Sequence, residues 1–478
     1  MFRIRRISGQ VLPTDGGRRT SFSIASILLV VFAAAGHWNC PGSEGGSAAA
    51  IKDYIETAHR AWNFQGAVLV SRAGKVIFSG GFGFADAAGL RTNSPQTVFS
   101  IGSVTKTFTA AAILQLSDAG LVDLDAPVAE YLPEYDLAGR SGVTLRRLLS
   151  HSSGVPDVGL DPRALGDLTK ARAPLDLLEL VKDKPLDFAP GEASRYSNAG
   201  YVLLGLVIER VSGMSYADYV HEHLLCPLQM TATSYGADAS SETRIARGLI
   251  EGPDGRLREA PLFHPSLGYS AGGLFSTVED MWRWDRGLEG EDILSAAARA
   301  QMFMPQRDDF GLGWLIMETW GRKDIAHGGG APGYDAWVER WPHERVFVAV
   351  LSNTGGSPVG EIGRSLAAIL FGQDVQPPEA RRATVADGAS LGEYAGFYKI
   401  NEESRREILG EGNTLFVRRD GGPRYPVLPC GQDLFFFPND KGASIRFFRD
   451  REGRVSGHVL HRLGLDEIAM KVEGAGSR

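Results

Sequence analysis

The reading of this 478-residue chain turns on Val98-Phe99-Ser100-Ile101-Gly102-Ser103-Val104-Thr105-Lys106. Val98 to Ile101 is strand-like, and the apolar positions Phe108, Ala111, Ala112, Leu114 and Leu116 then keep a helical period until a glycine stop at Gly120. Ser103 therefore falls where a helix begins. Residues three apart on a helix share a face, so Lys106 lies beside the Ser103 hydroxyl, with the positive end of the helix dipole on the same spot. A serine hydroxyl is a weak nucleophile at neutral pH and needs a base. Lysine serves once desolvation or a neighbouring positive charge lowers its proton affinity. Taken alone, Ser-x-x-Lys also fits an N-cap serine followed by an exposed lysine.

Outward from this stretch stand two more constellations. Tyr196-Ser197-Asn198 follows Pro190, Gly191 and Glu192 and precedes a helical run from Val202 to Val211 that stops at Gly213. A tyrosine and an asparagine two apart in extended backbone point the same way, offering a proton carrier and an amide. The plainer alternative is a loop whose Asn caps the next helix. His327-Gly328-Gly329-Gly330 lies just before the strand-like Ala336 to Trp341. Consecutive glycines let backbone amides approach a ligand and donate to a developing oxyanion, although a triple glycine is usually a turn.

The order of these segments, Ser-x-x-Lys, Tyr-x-Asn and His-x-Gly, resembles the serine β-lactamase and penicillin-binding protein superfamily in its class C-like branch. Supporting text lies in Leu148-Leu149-Ser150-His151-Ser152-Ser153-Gly154-Val155-Pro156, Cys226-Pro227-Leu228-Gln229-Met230 and Ser270-Ala271-Gly272-Gly273-Leu274. The resemblance spans residues 50–372 and implies a β-lactamase/transpeptidase-like α/β fold, an antiparallel sheet flanked by helices with a helical subdomain. It implies that Ser103 attacks a carbonyl, that Lys106 and Tyr196 share the roles of base and acid, and that Asn198, His327, Gly329, Gly330 and Tyr334 bind substrate. The oxyanion hole would be the amides of Ser103 and Gly330, such donors being worth on the order of 3 kcal/mol each. No metal and no cofactor is implied.

One departure bears on the substrate. Antibiotic-degrading members resemble one another in a Lys-Thr-Gly strand, where this chain has His327-Gly328-Gly329. Histidine and glycine offer less charge and one hydroxyl fewer to hold a substrate carboxylate. The expectation is a serine hydrolase for ester or amide bonds of small or D-amino-acid-like substrates, as in the esterase and D-amino-acid peptidase branch. The alternatives are a D-alanyl-D-alanine carboxypeptidase or β-lactamase, and a non-catalytic protein that binds or senses peptidoglycan fragments. A separate Ser-His-Asp triad from Ser152, His151 and Asp157 lacks the Gly-x-Ser-x-Gly elbow that would accompany it. His221 and His223, two apart on a helix, do not face one another as zinc ligands would. Tyr269, Trp314 and Tyr334 are candidate pocket walls, aromatics being more often core.

Further out, Ala67 to Ser71 and Val76 to Gly81 form a hairpin around Ala73 and Gly74, and Val346 to Ser352 and Val359 to Phe371 read as a strand and a closing helix. Arg3, Arg5, Arg6, Arg18 and Arg19 precede an apolar run from Phe22 to Phe32 that ends on Ala33, Ala34 and Ala35, the order of a signal peptide over residues 1–35. An uncleaved anchor is the alternative, so the expected location is periplasmic or secreted, with membrane contact through the N-terminus only. A flexible leader over 36–50 then gives way to a helix near Ile51. Pro377 and Pro378 mark a linker over 373–390. From Leu391 to Arg478 short apolar runs such as Leu415 to Val417, Leu434 to Phe437 and Val455 to Leu460 alternate with turns, an all-β barrel-like tail. Cys226 and Cys430, far apart, prescribe no disulfide framework. A net charge of -7 without a basic stripe argues against nucleic acid, leaving a small-molecule or short peptide substrate as the expected partner.

Overall fold

The computed structural model describes residues 44–472 apart from 136–141, 158–165, 237–242, 253, 385–390, 403 and 413. The expected signal peptide and Cys40 lie outside the described residues.

Six strands form the central antiparallel sheet: β1 (Gly66–Arg72), β2 (Lys75–Phe82), β3 (Leu315–Thr319), β4 (Arg322–Ala331), β5 (Tyr334–Trp341) and β6 (Val346–Ser352). Their order is β2-β1-β6-β5-β4-β3, so the first hairpin joins the last four strands where Gly66 pairs with Ser352. Strand alternation serves both faces. Ala67 and Leu69 enter one core with Phe108, Leu203, Trp284 and Val338, while Val68 and Val70 enter a second with Tyr54, Trp341, Ile362 and Leu366. The first core packs the sheet against α2 (Thr105–Asp118), α3 (Asn198–Ser212) and α4 (Val278–Glu289); the second packs it against α1 (Glu44–Trp62) and α5 (Val359–Leu370).

Two expectations change here. Helix α1 begins at Glu44, not near Ile51, so residues 44–50 of the expected flexible leader are helical. Ala48, Ala49 and Ala50 are strong helix formers, and the burial of Ile51, Tyr54, Ile55 and Ala58 anchors the helix they extend. The glycines 328–330 are not a turn but the end of β4. The chain reverses at Pro332-Gly333, where Gly333 takes φ +79°.

The C-terminal part is a closed eight-stranded barrel: β7 (Gly396–Lys399), β8 (Arg405–Glu411), β9 (Thr414–Arg419), β10 (Tyr425–Gly431), β11 (Leu434–Phe437), β12 (Asp440–Arg449), β13 (Val455–Arg462) and β14 (Leu465–Lys471). Closure leaves no free strand edge, which suits a small sheet with solvent around it. The barrel rests on α5: Glu361 accepts from Gly464 N at 2.7 Å and pairs with His461 Nε2 at 2.9 Å. Lys441 donates to the Trp62 carbonyl at 3.0 Å and pairs with Glu251. The connecting segment is tied at both ends, Glu379 O accepting from Trp62 Nε1 at 3.0 Å and Thr384 N donating to Pro429 O at 2.8 Å.

Candidate active site

Ser103 stands in a single 3-10 turn, Gly102–Val104, that runs straight into α2. Gly102 takes φ +47°, and a Cβ there would lie 2.7 Å from Gly330 N; a Cβ on Gly329 would lie 2.0 Å from the Ile101 carbonyl. Both positions demand glycine because two backbones meet there without side chains between them. The pairing of β3 with β4 ends at Ala326, so on that edge residues 327–331, still paired with β5 on the other, face this turn and not a strand. The Ser103 and Gly330 amides are thereby brought to one spot, and Gly330 is exposed.

Lys106, one turn on, is fully buried. Its Nζ donates to Asn198 Oδ1 at 2.7 Å, to the Ala271 carbonyl at 2.7 Å and to Ser103 Oγ at 3.1 Å. All three partners are neutral, and no carboxylate lies within ion-pair distance among the described residues. Burial lowers its proton affinity to about 7, against the pull of the more distant Asp157 charge. Two of the amine's positions are thus taken by fixed acceptors, and the third faces Ser103. Once neutral, the amine presents its lone pair there.

Tyr196 hydrogen-bonds Ser103, and its ring lies 4.8 Å from Lys106 Nζ. Burial holds its phenol well above the ordinary range, so it carries its proton at neutral pH. Asn198 is the first residue of α3 and does not cap it. That task falls to Ser197, whose hydroxyl accepts from Gly200 N at 3.1 Å. His327 Nδ1 donates to the Gly328 carbonyl at 2.7 Å, and burial, then Lys106, brings its proton affinity down to about 3. It is a neutral histidine, 6.4 Å from the Tyr196 ring.

The arrangement can therefore activate a hydroxyl, relay a proton and receive an oxyanion. Ser103, Lys106, Tyr196 and Asn198 come together, with His327, Gly329 and Gly330 as the adjoining wall. Tyr334 does not join them: its hydroxyl donates to the Ala246 carbonyl at 2.7 Å and its ring packs edge-on to Phe275. The Tyr334 hydroxyl thus ties the start of β5 to Ala246 and is not among the groups around Lys106. Tyr269 and Trp314 are core, at 2% and 3% exposure. A cavity of about 1100 Å³ lined by Trp282, Arg299, Phe303 and Arg340 does not include Ser103, which is itself partly exposed.

The profile of the Beta-lactamase family matches residues 52–372. The chain belongs to the Beta-lactamase family. Over 456 residues it is 28% identical to Penicillin-binding protein 4* of Bacillus subtilis (strain 168), covering 88% of this chain and 98% of that relative. The octameric penicillin-binding protein homologue from Pyrococcus abyssi superposes with a TM-score of 0.64 at 25% identity, covering 88% of this chain and 99% of that one. A D-stereospecific amidohydrolase from Streptomyces sp. gives 0.55 at 25% identity, covering 64% and 94%. The family and these neighbours make the chain a serine hydrolase in broad class.

Within this Beta-lactamase family site, three participants take roles that the sequence did not assign to them. The Ala271 carbonyl reaches Lys106 because a Cβ on Gly205 would collide with Ser270; only glycine lets α3 press so closely on the 269–272 turn. His151 lies beneath Tyr196, ring to ring at 4.4 Å, and its Nδ1 accepts from Ser197 N at 3.1 Å. Asp157 accepts from Asn198 N at 3.1 Å and from its side-chain amide at 3.2 Å. These bonds disperse the Ser152-His151-Asp157 triad, since Ser152 Oγ bonds Ser150 Oγ at 3.0 Å instead. The signal for all three was the text Ser150 to Asp157 and Ser270 to Gly273, in which the sequence offered only a separate triad and supporting resemblance.

Proposed function

We propose that this chain hydrolyses ester or amide bonds of small or D-amino-acid-like substrates through an acyl-enzyme on Ser103. The observation that carries the reading is the Lys106 amine held by two neutral acceptors with its third position on Ser103 Oγ. Ser103 Oγ attacks the substrate carbonyl while its proton passes to Lys106. The oxyanion forms between the Ser103 and Gly330 amides, which bind it more strongly than the ground-state carbonyl. Tyr196, still protonated, hands a proton to the leaving alcohol or amine and recovers one through Lys106. Water then attacks the ester with the roles reversed.

The substrate class follows from His327. A neutral imidazole beside Gly328 and Gly329 offers no charge to a terminal carboxylate, so esters and amides without one are favoured. The test is turnover of p-nitrophenyl acetate and D-alanyl p-nitroanilide by wild type and Ser103→Ala, with mass spectrometry after fluorophosphonate treatment. Hydrolysis that survives in Ser103→Ala, or a label on another residue, removes Ser103 from the mechanism. The likeness to Penicillin-binding protein 4* favours a second reading, a D-alanyl-D-alanine carboxypeptidase or β-lactamase. Rapid nitrocefin hydrolysis would establish it, whereas labelling by penicillin without turnover would favour a sensor. We also propose export to the periplasm or beyond, for which mature protein starting at Gly36, after cleavage at Ala35, is the expected finding.

A further inference from the structure

The stretch from His151 to Asp157 grips the Tyr196 segment at four points. His151 O accepts from Arg195 N at 2.8 Å, His151 Nδ1 accepts from Ser197 N, its ring supports Tyr196, and Asp157 takes both amide groups of Asn198. His151 adopts φ +56°, a left-handed backbone that a histidine takes at some cost. Of these contacts the one to Asn198 has the most chemical leverage. A carboxylate only accepts, so it binds the NH2 side of the Asn198 amide and turns the carbonyl toward Lys106. With the amide reversed, an N–H would face Lys106 and claim the lone pair that Ser103 needs.

We infer that Asp157 is a positioning residue of the reaction: it locks the Asn198 amide so that the lone pair of the free Lys106 amine is left to Ser103. The inference rests on the hydrolase reading above and names a residue whose hydrogen bonds go to Asn198 and not to Ser103. Among the described residues, titratable groups facing Lys106 are Asp157 and His151 of this loop, Tyr196 and Tyr201 around the start of α3, and His327 of β4. The two histidines are kept neutral by burial and the two phenols stay protonated, which leaves Asp157 as the charged neighbour. Its charge raises the proton affinity of Lys106, so removing it moves the Lys106 titration to lower pH.

The test uses the full chain with 13C-labelled lysine, Lys106→Arg supplying the assignment, and compares wild type, Asp157→Asn, Asp157→Ala and Asp157→Glu. Asp157→Asn keeps an acceptor and loses the charge. Its Lys106 resonance should titrate lower by on the order of half a pH unit or more, and the acidic limb of kcat/KM should move with it. Asp157→Ala loses both, with kcat down on the order of a hundredfold, as for a misplaced reacting group. Asp157→Glu should recover part of the rate and the wild-type limb. An unmoved Lys106 titration in Asp157→Asn, or equal losses in Asn and Ala variants at the wild-type limb, would overturn the inference and leave Asp157 a mere strut. A wild type without esterase turnover whose Lys106 titration still falls in Asp157→Asn would sink the hydrolase reading while upholding the electrostatic link.

Discussion

Lys106 and Arg364 are both cations sealed in the same domain, on opposite faces of one sheet, and they differ in what surrounds them. Arg364 of α5 is fully buried between two carboxylates, Asp324 of β4 at 3.3 Å and Glu339 of β5 at 3.0 Å. Trp337 Nε1 donates to the other Glu339 oxygen at 2.8 Å, and burial, then Glu339, pushes Asp324 above the usual carboxylate range. Lys106 has only an amide oxygen, a carbonyl and a hydroxyl. Opposite charges hold a cation charged; neutral acceptors in a dry site let it lose its proton. A buried cation is thus no sign of chemistry by itself. The charge of its first neighbours separates the base from the strut.

The comparison breaks most visibly at the nucleophile and its base. Ser103→Ala and Lys106→Arg should each lower kcat/KM by at least about 10³-fold with near-normal folding, since arginine keeps its proton at any working pH. An active Lys106→Arg enzyme would mean that the lysine is another Arg364. Arg364→Met should do the reverse, lowering stability by about 3–5 kcal/mol, because it strands two buried carboxylates. Thermal denaturation should show the loss, while the rate per folded molecule stays near wild type.

A pH series sharpens the contrast. The base must be unprotonated to accept from Ser103, so acylation should be slow in acid, rise through about pH 7 and then level. Stability has its own sign. The folded-state affinity of Lys106 lies below its unfolded value, so the unfolded chain binds the extra proton between about 7 and 10.5, and folding should gain as pH rises through that window. Lys106→Met should flatten that gain. The smallest effect is expected at the barrel contact. Two carboxylates, Asp466 and Glu361, raise the affinity of His461 to about 10, so its contribution is complete below about 6.5 and lost as pH rises through about 10. His461→Gln should lower the melting temperature slightly and leave hydrolysis of small esters unchanged; a large loss of turnover would make the barrel a part of the active site.

Legibility in the sequence followed range. The Ser103 to Lys106 spacing, the helix ending before Gly120 and the hairpin around Ala73 and Gly74 are local, and the structure has them as read: α2 spans Thr105–Asp118, and β1 and β2 turn at those residues. The strand over 322–331 was not legible, because three glycines carry no β signal and their extended form depends on the partners Asp335 to Trp337. Three barrel strands, β7, β8 and β10, escaped for a related reason. Arg406 points inward at 1% exposure to pair with Glu467, and Pro426 and Pro429 interrupt β10, so the alternation that marks a strand is broken from inside.

What the sequence determined by itself is the cast: a serine and a lysine one helical turn apart, a tyrosine and an asparagine that share a side, and glycines where two backbones must touch. Each is an intrinsic property of residue type and short-range spacing. What only the tertiary structure decided is the protonation and direction of the cast. The loss of charge on Lys106 requires burial by Ala271, Tyr196 and Tyr201, which come from other segments, and the orientation of Asn198 requires Asp157, 41 residues earlier. Proton affinity and amide direction are sums over a surrounding volume, and no single stretch of chain contains that volume.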